Sequence, residues 1–573
     1  MVRTGGRRWA ACAARQGAAW TLLLAGTALG GAKELEPVLR LVPADLPVIV
    51  AFENLEKFDK TMTGFVKSIS PDATFGGILS DIKKDLRIGE WIDFTKPIAL
   101  LQVDTTRPDS SVVVAVVPEF ATKVKTVAEA REEGGMWEIP AGENRTMYVI
   151  AKGDYVVAGQ DRVAVEKLKS AEGKVFSENF AARKELLEGR EGLIHVQFSP
   201  SMRGPLLTGL SQGAQMAPMV GMMLGPAAGD AAMISSTVLA LLDGIGQFVQ
   251  QVDYLDVAVG VSEAAADVTV AAGFLDGAIH EYVVKQKPAQ GELLSTIGER
   301  PFVFALGWEV PGEDSPFTDY FLDKALAAAA PKVPVNGTHA AGGENPAALQ
   351  EAAGVYRELF HKVSGMNMAL TATPQGLRAV GDYLGKDAAA ILDAAKASMT
   401  KAGAITKGFS GGASYEESGS RKIGETTVHE YAMKFDAGGA AATQASKLLG
   451  DNVRLSLGLV EGRVRYCLGT EEDAGAAFGE KAAQPLSASK AAAATLAKLP
   501  KKRNVVLLVD PIGAMPLLGS LLGMVAQGVA GGGEPVGLSI SVSGEPARLD
   551  IHLPAKTLAA WVAAMSAGKT QPT

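Results

Sequence analysis

The residues whose types and spacing come nearest to nucleophilic chemistry are Gly408-Phe409-Ser410-Gly411-Gly412, a G-x-S-x-G pattern. In a nucleophile elbow such a serine sits on a sharp turn from a strand into a helix, with an acid and a histidine later in the chain to activate it. Here the order is reversed. A helical pattern precedes Ser410, and the strand-like Ala413-Ser414-Tyr415-Glu416 follows it. His429 and His552 lie downstream, neither with a placed acidic partner. In a chain with 65 glycines a Gly-rich turn explains the pattern more simply, and Ser410 remains a remote candidate for a serine hydrolase. Ser398-Met399-Thr400-Lys401 and Ser487-Ala488-Ser489-Lys490 match S-x-x-K, but the companion S-D-N and K-T-G motifs of penicillin-recognising enzymes are missing. Gly568-Lys569-Thr570 resembles the end of a phosphate loop, yet Ala563 stands where the loop needs a glycine.

Metal and redox chemistry find no better footing. The histidines are His195, His280, His339, His361, His429 and His552, with no two at ligand spacing and no Cys-x-x-Cys or calcium loop nearby. Glu471-Glu472-Asp473 clusters three carboxylates, but it falls in the first turn of a helix after Thr470, where negative charge suits the helix dipole. No catalytic, cofactor or metal residue is therefore assigned. The expectation is a non-enzyme without a cofactor.

The elements that would position any site repeat themselves. Leu193–Phe198 is an apolar strand pattern that runs into Ser199-Pro200. Asn504–Val509 runs into Asp510-Pro511 in the same way, with Ser199 and Asp510 at an offset of 311 that holds into Pro205-Leu206-Leu207 and Pro516-Leu517-Leu518. Such self-similarity signals a duplicated architecture. Strand and helix periods recur as strand–helix–strand–strand–helix four times, opening at Pro47, Leu193, Phe302 and Asn504. Between them lie the hairpins Met147–Ile150 with Tyr155–Ala158 and Arg454–Leu459 with Val464–Leu468. The fold class expected is α+β: two similar halves, 38–288 and 289–567, built from repeated units in ferredoxin-like order, with antiparallel-rich sheets and helices on one face. Helices are expected over Phe120–Glu132, Phe317–Ala330 and Ala514–Val529 among others.

Two uncharged stretches, 204–229 and 511–533, follow the equivalent strands. The first carries Met216, Met219, Met222 and Met223 and is interrupted by Pro218 and Pro226. Length alone makes each a possible membrane span, but Gly and Pro interrupt both, and their equivalence argues for packing helices of a repeated soluble fold. An apolar groove for lipid, lined by Leu210, Met216, Met219, Met223 and Leu224, is the alternative, because methionine adapts to varied shapes.

The start of the chain carries an address. Arg3, Arg7, Arg8 and Arg15 precede an apolar stretch, Ala18 to Leu29, and small residues then lead to Lys33. This is the order of a secretory signal peptide over residues 1–32. Without those four arginines the formal charge of −8 becomes −12, a poor balance for nucleic acid or an anionic membrane. Lys501-Lys502-Arg503, the compact basic run, reads as a solvated edge. Cys467 would be the one cysteine left, so a core rather than a disulfide must hold the fold. With 47% hydrophobic residues the chain has material for one. The tail, 568–573, reads as frayed.

Leu41-Val42-Pro43-Ala44-Asp45-Leu46-Pro47, then a strand and Glu53-Asn54-Leu55-Glu56-Lys57-Phe58, resembles the start of a broad, uncharacterised group of exported bacterial proteins. In that group a P-A-D segment precedes the first strand. The likeness covers residues 40–130 and brings no activity to any residue. It implies an exported, non-catalytic envelope protein, periplasmic or secreted. Its partners would be an apolar ligand or an envelope protein, and it would be neither nucleic-acid-binding nor integral to the membrane. N-terminal sequencing of protein from the native host is expected to begin near Lys33; an intact Met1 on cytosolic protein would overturn the export reading.

Overall fold

Leu55–Ile69 shows why helices form where they do. Asn54, in extended conformation, accepts the backbone N–H of Lys57 at 2.8 Å and so caps the helix. Leu55, Phe58, Met62 and Phe65 then recur along one stripe and are buried. In this computed structural model the described residues are 32–73, 77–142, 145–169, 174–180, 186, 190–223, 242, 244–310, 346–373, 375–406, 413–435, 449–450, 452–479, 484–513, 533–544 and 546–567. Residues 1–31, Ser410, the expected helices Phe317–Ala330 and Ala514–Val529 and the tail lie outside them.

Contacts divide the chain into two units. The first draws on Met1–Gly204, Val252–Leu275 and Arg548–Val562, the second on Pro205–Gln251, Asp276–Ala547 and Ala563–Thr573.

The first unit contains β1 (Val48–Phe52), β2 (Ile98–Gln102), β3 (Ser111–Val116), β4 (Arg131–Glu133), β5 (Met136–Pro140), β6 (Thr146–Lys152), β7 (Tyr155–Gly159), β8 (Gly192–Gln197), β9 (Val252–Val261) and β10 (Ala265–Phe274). They pair in the order β4-β5-β6-β7-β3-β2-β1-β8-β9-β10, every pairing antiparallel. A last strand, β20 (Ala547–Pro554), joins at β10. The helices are α1 (Ala32–Leu39), α2 (Leu55–Ile69), α3 (Ile78–Asp85), α4 (Phe120–Lys125), α5 (Arg162–Lys169) and α6 (Phe176–Phe180). Val50 and Phe52 pack in one core with α2 and with Phe120 and Val124 of α4. Ile49 and Ala51 pack in another with Leu35, Val38 and Leu39 of α1 and with α5. Helices therefore cover both faces of this sheet, not one as expected, which is why its central strands are apolar without alternation.

The ferredoxin-like order is corrected too. The strand that follows the first helices, β2, lies directly beside β1 and antiparallel to it, where that order would put another strand between them. The helix expected over Phe120–Glu132 stops at Lys125. Gly134 and Gly135, both at positive φ (58° and 77°), make the tight turn between β4 and β5 instead.

α7 (Pro200–Met223) continues through Pro218 rather than breaking there.

The second unit contains α8 (Ala278–Lys285), β11 (Phe304–Glu309), α9 (Pro346–Lys362), β12 (Gly365–Thr373), β13 (Gly376–Leu384), α10 (Ala388–Thr406), β14 (Ala413–Ile423), β15 (Thr426–Phe435), β16 (Arg454–Val460), β17 (Arg463–Gly469), α11 (Glu471–Gly479), α12 (Lys490–Leu496), β18 (Val505–Val509) and β19 (Val536–Ser541). The strands pair as β14-β15-β16-β17-β13-β12-β11-β18-β19, again all antiparallel. Leu359, Ile391 and Ala395 pack with Tyr431, Leu457 and Tyr466. Val380, Val428 and Cys467 face α11 on the other side. A Cβ at Gly381 would lie 2.3 Å from the outer end of the Tyr466 ring on the neighbouring strand, so a larger residue there would displace that ring.

Phe58 is 1% exposed and meets Phe52 edge-on at 4.6 Å. Phe58→Ala is expected to cost the first unit about 3–5 kcal/mol. Urea unfolding followed through Trp91 and Trp137, which pack on the same core, would measure it.

Candidate functional site

The residues singled out in the sequence are not brought together. Ser398 is buried in α10 and donates to Ala395 O at 2.7 Å. Ser487 is buried in a short turn, and Ser489 caps α12 by accepting from Ala492 N at 3.4 Å. Asp473 and Thr470 cap α11 reciprocally: Thr470 N and Oγ1 donate to Asp473 Oδ2 at 2.7 and 2.8 Å, and Asp473 N to Thr470 Oγ1 at 3.3 Å. Lys501 and Lys502 are exposed, but Arg503 is buried and donates to Leu496 O, so that run is only partly a solvated edge. Among the described residues no group of three His, Cys, Asp or Glu side chains could hold a metal, and no helix is long and apolar enough to cross a membrane.

Two histidines of the first unit lie within hydrogen-bond distance of carboxylates, and His280 Nε2 in the second lies 4.0 Å from Asp276 Oδ1. His195 Nδ1 lies 2.6 Å from Asp256 Oδ1 across β8 and β9, and His552 Nδ1 lies 2.7 Å from Asp267 Oδ1. Beside them Thr269 Oγ1 donates to Asp550 Oδ1 at 2.6 Å. His195 is 1% exposed, its ring between Phe176 at 4.7 Å and Tyr254 at 6.0 Å. That is a pair sealed in a core, not one presented to a substrate.

The open site is a cavity of about 1310 Å³ in the second unit, lined by the segment Ser295 to Pro301, by β13 and β17, and by α11. Its polar lining is built outward from Asp382, which is fully buried. Arg465, its cross-strand partner, holds it with Nε to Oδ1 at 2.8 Å and Nη2 to Oδ2 at 3.0 Å. The same guanidinium donates to Ala477 O and Thr296 O. Burial pulls Arg465 down, but its hydrogen bonds to Asp382 together with the charges of Asp382 and Glu461 outweigh that and leave it above its ordinary value. Arg378, two strand positions from Val380, places Nε 2.9 Å from Asp473 Oδ2 and gives Nη1 to Leu377 O and Leu449 O.

The segment that closes the cavity is pinned at several points. Asn367 Oδ1 accepts Leu294 N at 3.0 Å and its Nδ2 donates to Thr296 Oγ1 at 3.0 Å. Ile297 O accepts Leu486 N at 2.7 Å, and Pro301 O accepts Thr371 Oγ1 at 2.7 Å. This segment carries Arg300 into the cavity, where burial pulls the guanidinium below its ordinary value against the nearby Asp382 and Asp473. Cys467 also lines it, and burial pushes that thiol up to about 12, with Asp473 adding to the effect.

None of Arg300, Arg378, Asp382 and Arg465 was singled out in the sequence. One signal was present: Arg378 and Asp382 are four apart on an apolar strand, hence on one face of it.

No family model and no curated protein matches the chain. One solved structure that does match, "Structure of crystal form I of TP0453", is 8% identical, covers 44% of this chain and 88% of its own, and superposes with a TM-score of 0.22. A likeness that loose carries no argument.

A thiol held up in the fold stabilises it fully below its ordinary value of 9.0 and loses that contribution as pH rises towards about 12. The loss is on the order of 4 kcal/mol. Urea midpoints measured from pH 8 to 11 are expected to fall less steeply in Cys467→Ala than in the native protein.

Proposed function

We propose that this chain is an exported, non-catalytic protein of the cell envelope, in the periplasm or outside the cell. It is built from two similar halves, near 38–288 and 289–567, and works as a scaffold or binding module. The observation that carries this reading is the cavity of the second unit. Arg378 and Arg465 are locked to carboxylates and backbone carbonyls, and the cysteine is held as the thiol. Side chains fixed in this way hold a binding cavity in shape and offer no activated nucleophile. The basic, apolar, small-residue order of residues 1–32 supports export. So does the P-A-D segment of Pro43-Ala44-Asp45. Duplication is supported by the pairing orders. Matching β1 with β11, β2 with β12 and β3 with β13, then β4–β9 with β14–β19, gives one sequence of neighbours in both units.

A second reading, a periplasmic carrier of lipid or another apolar ligand, draws support from α7. Between Ser201 and Gly213 that helix has no buried residue, and Leu206 is 41% exposed. Its methionines follow, with side chains outside the described residues. A largely apolar helix segment with no fully buried residue between these positions is the kind of surface that takes an apolar partner.

Mass spectrometry of small molecules that co-purify from the native host is expected to find a bound species. A ligand that carries a carboxylate or phosphate favours the cavity, and an uncharged lipid favours the helix. Labelling by a fluorophosphonate probe that Ser410→Ala abolishes would overturn the non-catalytic reading in favour of a serine hydrolase.

A further inference from the structure

Three guanidiniums and two carboxylates meet at the inner end of the cavity, and the fold leaves one positive charge over. Arg465 takes both oxygens of Asp382. Arg378 takes Asp473, on the oxygen that also caps α11. Arg300 gives a single N–H, from Nε, to Gly298 O at 3.3 Å, and among the described residues no carboxylate is paired with it. The other acids of the lining do not serve it. Glu461 is paired with Arg463 at 2.7 Å, Glu299 accepts from Gln484 at 2.5 Å, and Glu425 is exposed at the rim. Cys467 is no counter-ion, because its thiol stays protonated until about pH 12. A cation that is partly desolvated and unpaired is costly, and an anion that reaches it recovers that cost.

The fork of a guanidinium matches the two oxygens of a carboxylate or phosphate. The walls beside it are apolar: Ile297, Ala379, Val380, Ala477 and Phe478. We propose that this cavity binds a ligand carrying a compact oxyanion, carboxylate or phosphate, which sits on the Nη1 and Nη2 of Arg300 with its apolar body against Ile297, Val380 and Phe478. The proposal rests on the binding-module reading and names the chemistry that module takes. It also assigns Arg300 a different task from its neighbours: Arg378 and Arg465 hold the cavity in shape, while Arg300 meets the ligand.

Calorimetric titration of the whole protein at pH 7 with sodium phosphate, acetate and octanoate, at ionic strength matched with potassium chloride, tests it. Saturable binding at one site is expected. Octanoate should bind more tightly than acetate, because only octanoate reaches the apolar wall. Binding of phosphate alone would place the ligand among phosphate compounds, and binding of the carboxylates alone among organic acids; either supports the site. Arg300→Gln should weaken binding about tenfold or more, since it removes charge-assisted hydrogen bonds. Arg300→Lys, which keeps the charge and loses the fork, should fall between the two and decides the matter if Arg300→Gln fails to fold. No saturable binding of any of the three probes, or equal affinity in native and variant proteins, overturns the proposal. A ligand recovered from the native host that Arg300→Gln protein retains in equal amount would overturn the site and leave the binding-module reading standing.

Discussion

Everything in the first unit follows from burying both faces of one antiparallel sheet. Adjacent residues of β1, Ile49 and Val50, belong to different cores, so the central strands have no solvent side on which to place polar residues. Any polar group there must find its partner inside. That is why His195 meets Asp256, and why Thr269 meets Asp550. These pairs lie among side chains that exclude water, where a hydrogen bond is strong and its absence is expensive.

The second unit obeys the same constraint and turns it to a different end. Where α11 and the segment carrying Arg300 cover β13 and β17, the apolar packing gives way to a lattice of guanidiniums and carboxylates. Such a lattice adds little net stability over an apolar core, because desolvation offsets much of the attraction. What it supplies is direction. Asp382 fixes the plane of Arg465, and Arg465 in turn fixes Thr296 and Ala477 through their carbonyls. The walls of the cavity are thereby held at set distances from each other before any ligand arrives, which lowers the ordering cost of binding.

Much of the fold was legible in the sequence because strands buried on both faces are written as unbroken apolar runs. Val48–Phe52 is an example, bounded by proline and by charge; Val505–Val509 is as apolar, with one face buried and the other half-buried. The hairpins at the sheet ends were harder. Arg131-Glu132-Glu133 is charged throughout and fully exposed, so neither period shows in it, and only the Gly134-Gly135 turn betrays the strand. β15, half-exposed and mixed in character, was missed for the same reason. The site was not legible at all as a constellation. Asp382 and Arg465 are 83 positions apart, and Arg465 and Thr296 are 169 apart. Nothing local in sequence records that the strands carrying them become neighbours. Helix coverage of the second face was missed because the short amphipathic helices α1 and α5 carry the same pattern whichever face they cover.

The position of β20 has a consequence for the order in which the molecule comes into being. Its residues pair with β10 over very long separations: Asp550 with Thr269 across 281 positions, and His552 with Asp267 across 285. The first unit therefore cannot close its sheet while the ribosome is still making the second. Until β20 arrives, β10 is an open edge, with Asp267 lacking His552 and Thr269 lacking Asp550. An edge of that kind invites pairing with other chains, and contacts this distant in sequence form slowly. In a chain built in this way the edge of β10 stays unpaired until β20 is delivered.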